Sequence, residues 1–423
     1  MLIPIIHNSA ALILFMSLMG LPLSKTQRQH VMTVVDGLVM GEGTKTLSAL
    51  CRMQVSQPDP RTLADAFRKG RWSARSIRDH LRRGLVKQLL VLAGQCNTDR
   101  QIIISLDDSI IHKHKDTAKM EGVDWTYDHV ASKPGRPVYV KGVTYLMCRI
   151  HIGPLSFTVD LRPYLREKTV RRLNRQRPKD KHLPYRSKTS LARTMLRELH
   201  TLLPTDYPVV VVFDSWYASA TLINWCRRHN WHVICAVKSN RTLDGVQVRD
   251  HHQRLKHTRY ERVTLTTPSG GDTTYLVRSI AGSLKKVADP VRLLISKQSR
   301  QDRRPRYYIA TDLSLSTQQI LTRFSKRWSC EVANWYLKMR LGIGDFRLRS
   351  FEAIEKYLVI SWLDLAFLEW RAAAFPALHG ASLADVVRLQ RREHARQSLR
   401  AACHMVHASG DVDAVVNRFA PAA

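Results

Sequence analysis

Residues 102–109 read IIISLDDS, and the fold turns on them. The run is apolar without alternation and ends in two carboxylates. That pattern predicts a strand covered on both faces, with acids where it leaves the core. PVVVVFDSW (208–216) repeats it, a buried strand ending at Asp214, and WHVICAVKS (231–239) is a third. Between the first two, VYVKGVTYLMCRIHIG (138–153) and LSFTVDLRPYL (155–165) meet at a Gly-Pro turn and read as a hairpin. KTSLARTMLRELHTLLP (188–204), stopped by proline, and SATLINWCRRHN (219–230) have helical spacing. A meander followed by a β-α-β unit predicts the α/β class, a mixed sheet with flanking helices.

On either side the texture changes. Residues 1–95 read as helices, among them a basic one carrying Arg71, Arg75, Arg78, Arg82 and Arg83, which could serve either as a DNA-facing helix or as a solvated basic face. SAALILFMSLMGLPL (9–23) has no preceding Lys or Arg and is short for a bilayer span, so it reads as a buried helix. Residues 257–313 read as four strands between turns, a β-rich insertion. FEAIEKYLVISWLDLAFLEWRAAAF (351–375) and a basic helix through residue 406 follow.

Charge is the outlier in composition. The 423 residues carry 67 Lys plus Arg against 35 Asp plus Glu, a formal net charge of +32, which points to a polyanionic partner, nucleic acid first. Seven scattered cysteines without a CxxC pair argue against a disulfide framework or a zinc knuckle and fit a reducing cytoplasm. RPYLREKTVRRLNRQRPKDKHLPYRSK (162–188) holds eleven Lys or Arg and two acids, a density suited to phosphate contacts; Arg171, Arg172, Arg175 and Arg177 are its central cations. Such a segment could be unstructured without DNA. GEGTKT (41–46) lacks Walker spacing, so no nucleotide cofactor is expected.

RFSKRWSCEVANWYLK (323–338) carries an aromatic, an arginine, a glutamate and a lysine on one stripe of a single helix, within about 60° at 100° per residue. A core stripe would be apolar. Phe324, Arg327, Glu331 and Lys338 instead put one carboxylate between two cations. Trp335 lies near the stripe and is expected mainly in the core, with base stacking as the other use. Asp108, Asp214 and Glu331 together offer hard oxygen ligands for Mg²⁺ or Mn²⁺. A buried strand does not reveal which face is inward, so Asp107 competes with Asp108 for the first position.

The pattern resembles an insertion-sequence transposase of the DDE class with an RNase H-like catalytic domain. Its Y-(2)-R-(3)-E-(6)-K signature is matched at Arg327, Glu331 and Lys338, with Phe324 in place of the tyrosine, which removes one phosphate hydrogen bond. The first acid of the family precedes Thr or Ser, as Asp108 precedes Ser109. The resemblance implies catalytic and metal-binding roles for Asp108, Asp214 and Glu331, with two metal ions. It implies DNA contacts by Phe324, Arg327, Lys338, Arg171, Arg172, Arg175 and Arg177. It divides the chain into an N-terminal helical DNA-binding region (1–95), a catalytic domain in two parts (96–256 and 314–375) around the β-rich insertion (257–313), and a C-terminal helical region (376–423) suited to dimerisation. Its implied partners are double-stranded DNA, as transposon ends and target, and a second copy of the chain, with no membrane and a bacterial cytoplasmic, nucleoid-associated setting. A nuclease of the same fold without strand transfer, and a non-catalytic basic DNA-binding protein, are the alternatives.

Overall fold

The computed structural model describes residues 5–56, 58–96, 99–128, 131–133, 135–266, 271–302 and 304–419. Five helices come first: α1 (Ala10–Met19), α2 (Lys25–Met40), α3 (Leu47–Arg52), α4 (Pro60–Arg68) and α5 (Ala74–Gln95). The starts of α1, α2, α3 and α5 are capped by Ser or Thr side chains, at Ser9, Ser24, Thr46 and Ser73, and α4 by Asp59 followed by Pro60. These caps, rather than apolar period alone, divide the N-terminal region into short helices.

The meander is β1 (Ile102–His112), β2 (Asp124–Tyr127), β3 (Tyr139–Ile152) and β4 (Leu155–Tyr164). The β3–β4 hairpin turns at Gly153, whose φ of 55° is left-handed. Next come α6 (Glu167–Asn174), α7 (Lys188–His200), β5 (Val209–Phe213), α8 (Ala220–Arg228) and β6 (His232–Ala236). β1, β5 and β6 run parallel, while β3 is antiparallel to β1 and to β4. The order β4-β3-β1-β5-β6 is the RNase H-like arrangement.

A short hairpin of β7 (Thr242–Leu243) and β8 (Val246–Gln247) and the one-turn α9 (His251–Arg254) lead to β9 (Glu261–Thr266), β10 (Asp272–Gly282), β11 (Val291–Lys297) and β12 (Arg306–Ala310). The four strands expected as an insertion do not form a separate sheet. β12 pairs antiparallel with β6, and β11, β10 and β9 follow in order, so one ten-stranded sheet runs through both. An open edge on β6 would leave backbone groups unpaired, and β12 closes it.

The remaining elements are α10 (Thr317–Ser325), α11 (Trp328–Trp335), a π-helical turn (Tyr336–Arg340), α12 (Phe351–Ala374), α13 (Leu383–Ser409) and α14 (Val412–Phe419). α12 is buried nearly all round and lies between β4 and the N-terminal helices. Phe15 of α1 packs on Phe367 and Trp370 of α12 at 5.6 and 5.4 Å between ring centres. The N-terminal helices therefore share one core with the sheet.

Two sequence expectations change here. Arg78 and Arg82 of the basic α5 are buried: Arg78 bonds Glu355 at 3.1 Å, and Arg82 bonds Asp160 at 3.0 Å and Asp79 at 2.8 Å. They attach α5 to α12 and β4, so that face is not a DNA surface. α1 is only half covered, because Leu12, Phe15, Met16 and Met19 face inward while Ile13, Leu14 and Leu18 remain exposed. Among the described residues no helix is long and apolar enough to cross a membrane.

Candidate active site

β1 lies inside the sheet, and its successive side chains alternate between the two faces. Ile103 packs with Val210, Val212 and Ile234 in a smaller core under α10, whereas Ile102, Ile104 and Leu106 join the larger core shared with α7 and α12. Continuing the alternation sends Asp107 toward α10 and α11, and Asp108 toward α7. The contacts agree. Asp107 accepts a hydrogen bond from Arg327 at 2.6 Å, and the same nitrogen of Arg327 reaches Glu331 at 3.4 Å. Asp108 accepts from Lys188, at the start of α7, at 2.6 Å and from the Tyr217 hydroxyl at 2.7 Å.

The expected grouping of Asp108 with Glu331 is therefore changed in geometry: Asp107 is the strand acid that shares the arginine with Glu331. Asp214, just beyond β5, is half-buried and accepts from the Trp216 backbone N–H at 3.0 Å. Its charge is felt by Asp107, and its own carboxyl feels Asp108 and Arg327, so it is electrostatically linked to both pairs. Burial, joined by the charges of Glu331, Asp214 and Asp108, pushes the Asp107 carboxyl up to about 7 against the pull of Arg327. Burial also raises Asp214, and the Asp108 charge adds to it. Burial and the Asp108 charge raise the Tyr217 hydroxyl well above its ordinary value, which keeps it a donor.

The single helix expected over 323–338 is three pieces. Backbone bonds from Lys326, Arg327, Ser329 and Cys330 all run to the carbonyl three residues back, so the chain is overwound between α10 and α11. At the far end the Leu341 N–H bonds Tyr336 five residues back, which underwinds it. The uniform 100° advance fails at both places. Phe324 is half-buried and packs against the smaller core, edge-on to Tyr308 at 4.7 Å, so its ring is only partly open where a DNA contact was expected. Arg327 turns to the acids, and Lys338 sits on the π turn, its pKa lowered by burial while Glu331 and Asp128 oppose the change.

α11 is fixed from beneath. The buried Tyr145 hydroxyl donates to Asn334 at 2.7 Å, and Arg149 donates to Ser329 at 3.1 Å. Its outer face is apolar and uncovered: Trp328 is 57% exposed and Trp335 47%, with Val332 and Met339 beside them. Trp335 is thus not in the core. Trp216, next to Asp214, is also exposed, under the Lys238 ammonium at 4.3 Å. In the basic segment, Arg177 is an internal clamp between Glu121, at 2.6 Å, and Glu352, which corrects its expected place on DNA. Arg171 pairs with Glu167 at 2.6 Å, while Arg172 and Arg175 face solvent. The segment is folded, with α6 seated through Val170 and Leu173.

Lys188 and Tyr217 have no motif of their own in the sequence. Tyr217 follows Asp214 by three residues, but Lys188 reaches Asp108 only through the packing of α7 on β3 and β4. Among the described residues no three His, Cys, Asp or Glu side chains are drawn together tightly enough to hold a metal ion. Arg327 and Lys188 hold their carboxylates instead.

The DDE superfamily endonuclease family matches residues 17–278, more than half of the chain and a span that includes Asp107, Asp108 and Asp214. The chain belongs to the DDE superfamily endonucleases. In this DDE endonuclease Glu331 lies beyond the matched span, and its place beside Arg327 and Asp107 comes from the structure alone. Among solved structures the chain is similar to a piggyBac transposase synaptic complex with hairpin DNA, seen by cryo-EM. The identity is 12%, over 96% of this chain and 80% of that one, with a TM-score of 0.48, too loose a likeness to carry an argument. No curated protein sequence matches the chain closely enough to add to this.

Proposed function

We propose that this DDE endonuclease is a DNA transposase, which hydrolyses a phosphodiester at the end of a mobile element and joins the freed 3′-hydroxyl to target DNA. The observation that supports it is the sharing of Arg327 by Asp107 and Glu331, with the Asp214 carboxylate within electrostatic reach, where β1 and β5 leave the core. Double-stranded DNA is the substrate, and a net charge of +32 suits it. Two chains would act together on the paired ends.

The donor chemistry of these residues suits divalent metal ions, although among the described residues their side chains are not gathered into a ligand set. The donors are hard oxygens, and burial with mutual repulsion raises Asp107 and Asp214, a cost that a bound cation relieves. Asp107, Asp214 and Glu331 would hold Mg²⁺ or Mn²⁺, with two ions expected. Bound there, such ions would supply a water of lowered pKa and positive charge for the leaving oxygen. The protein's own groups do the positioning. Arg327 keeps Asp107 and Glu331 in register and holds positive charge beside the scissile phosphate. Lys188 and Tyr217 orient Asp108, and Lys338 adds a second phosphate contact. The exposed rings of Trp216, Trp328 and Trp335 offer faces on which unpaired bases stack.

The test uses supercoiled plasmid bearing the element's ends, with Mg²⁺ or Mn²⁺, comparing the wild type with Glu331→Gln and sequencing new junctions. Metal-dependent joining that the substitution abolishes is the expected result. Cleavage without joining would replace the proposal with a nuclease. Binding without chemistry in either protein would leave a DNA-binding protein.

A further inference from the structure

Most of the arginines that this fold buries are answered by carboxylates. Arg82 and Arg162 share Asp160, Arg78 takes Glu355, Arg149 takes Glu369, and Arg371 takes Glu393. A groove on the surface gathers arginines of which most lack such partners among the described residues. The groove, of about 780 Å³, opens between α3, α4 and the loop before α12, lined by Arg52, Arg68, Arg347 and Arg349 together with the hydroxyls of Thr46 and Ser48. Among the described residues no carboxylate lines it. Arg68 bonds Asp65 at 2.8 Å, but Arg52, Arg347 and Arg349 are exposed and hold no acid among the described residues. Four guanidinium groups around one groove repel one another, and nothing in the packing of the fold requires them there.

The wall that carries Arg347 and Arg349 is firmly held. It is the loop that leaves the π turn after Glu331. Lys113, just past β1, donates to the carbonyl of Phe346 at 2.8 Å and to that of Gly344. Asp345 accepts from the Lys45 backbone at 2.7 Å, which joins the loop to the start of α3. Both walls are therefore preformed, and they come from segments nearly 300 residues apart. Lys113 lies six residues beyond Asp107 along an extended strand, roughly 20 Å at about 3.3 Å per residue. That equals about six base pairs of duplex at roughly 3.4 Å each.

We infer that this groove binds the phosphodiester backbone of duplex DNA about half a helical turn from the bond that the acids cut. The inference rests on the DNA-cleaving reading above and adds a specific holding site to it. Guanidinium pairs with phosphate oxygens in a two-point contact, and the threonine and serine hydroxyls donate to the same oxygens. Such contacts fix register without reading sequence, so affinity here depends on salt and not on base identity.

The test measures anisotropy of a fluorescent duplex of about 30 base pairs, titrated with full-length protein over a range of NaCl concentrations. It compares the wild type, Arg52→Gln/Arg347→Gln/Arg349→Gln, the corresponding triple lysine variant, and Arg392→Gln/Arg396→Gln/Arg400→Gln on the exposed side of α13 as a control of equal charge change. The groove variant is expected to bind at least tenfold more weakly, with the slope of log K against log salt shallower by about 2 to 3. The lysine variant recovers most of the slope, and the control changes little. A groove variant that binds like the wild type overturns the groove and leaves the proposed function standing. An equal loss in the control means diffuse charge and also overturns it. A wild type that binds no duplex overturns the DNA reading itself, and the groove with it.

Discussion

Asp107→Asn should make the protein more stable while removing its chemistry, and the gain should depend on pH in a defined way. The Asp107 carboxyl is raised by burial from its usual 3.8 to about 7, so the folded state holds this proton more tightly than the unfolded chain does. Below about pH 4 both states are protonated and the group costs nothing. As pH rises from about 4 to 7 the unfolded chain ionises while the folded one does not, and stability is lost; above about 7 the loss levels off. At roughly 1.4 kcal/mol per pH unit the ceiling is about 4 kcal/mol. Asparagine reproduces the protonated form, since its carbonyl oxygen still accepts from Arg327. For 423 residues unfolding as one unit the ceiling corresponds to a rise in Tm of about 4–5 °C at pH 8. The assay is thermal melting of both proteins between pH 4 and pH 8.5, without metal and then with Mn²⁺. The two should coincide near pH 4 and diverge through neutrality, and Mn²⁺ should narrow the gap by stabilising the wild type. A gap that does not change with pH, or a variant less stable than the wild type at pH 8, would refute the account of Asp107 as an acid held up by burial and crowding.

Three other outcomes are expected. Arg82→Leu leaves Asp160 buried with half of its pairing gone, so equilibrium denaturation should show a loss of about 3–5 kcal/mol. Asp364 in α12 is buried with neither oxygen bonded among the described residues, and burial raises its carboxyl well above the usual value. Asp364→Leu should therefore raise the melting temperature, by about 1–3 kcal/mol in stability, and by more at pH 8 than at pH 5, because a raised acid costs stability as pH climbs; equal gains at both pH values would exclude an ionisable cause. Trp335→Ala should leave the melting temperature within about a degree and weaken binding of single-stranded or melted DNA by about 1–3 kcal/mol, with intact duplex little affected.

The strands around the site were legible because their side-chain chemistry is extreme. IIISL and VVVVF can only be covered on both faces, and the acids that follow mark where each strand leaves the core. The hairpin at Gly153 and the helices with serine caps were legible for similar local reasons. The helix over 323–338 was not. Its apolar and charged positions satisfy a uniform helical period, but the overwound stretch at 326–330 and the π turn at 336–340 come from what lies beneath, where Tyr145 and Arg149 hold Asn334 and Ser329. Local composition also misled for charge. Arg78, Arg82 and Arg177 look like DNA contacts in a basic stretch, yet each is held by a carboxylate distant in sequence.

By itself the sequence determined a basic α/β protein with acids at the ends of two buried strands and a spaced Arg-Glu-Lys set after a run of strands. Those features rest on local periodicity and on the cost of burying charge, which operate along the chain. Only the tertiary structure decided that Asp107 and not Asp108 turns toward Glu331, that Lys188 and Tyr217 hold the other acid, and that Arg52 meets Arg347 and Arg349 across one groove. The physical reason is that a strand's two faces are equivalent until something packs on them. Here α10 and α11 on one side and α7 on the other assign each carboxylate its partner.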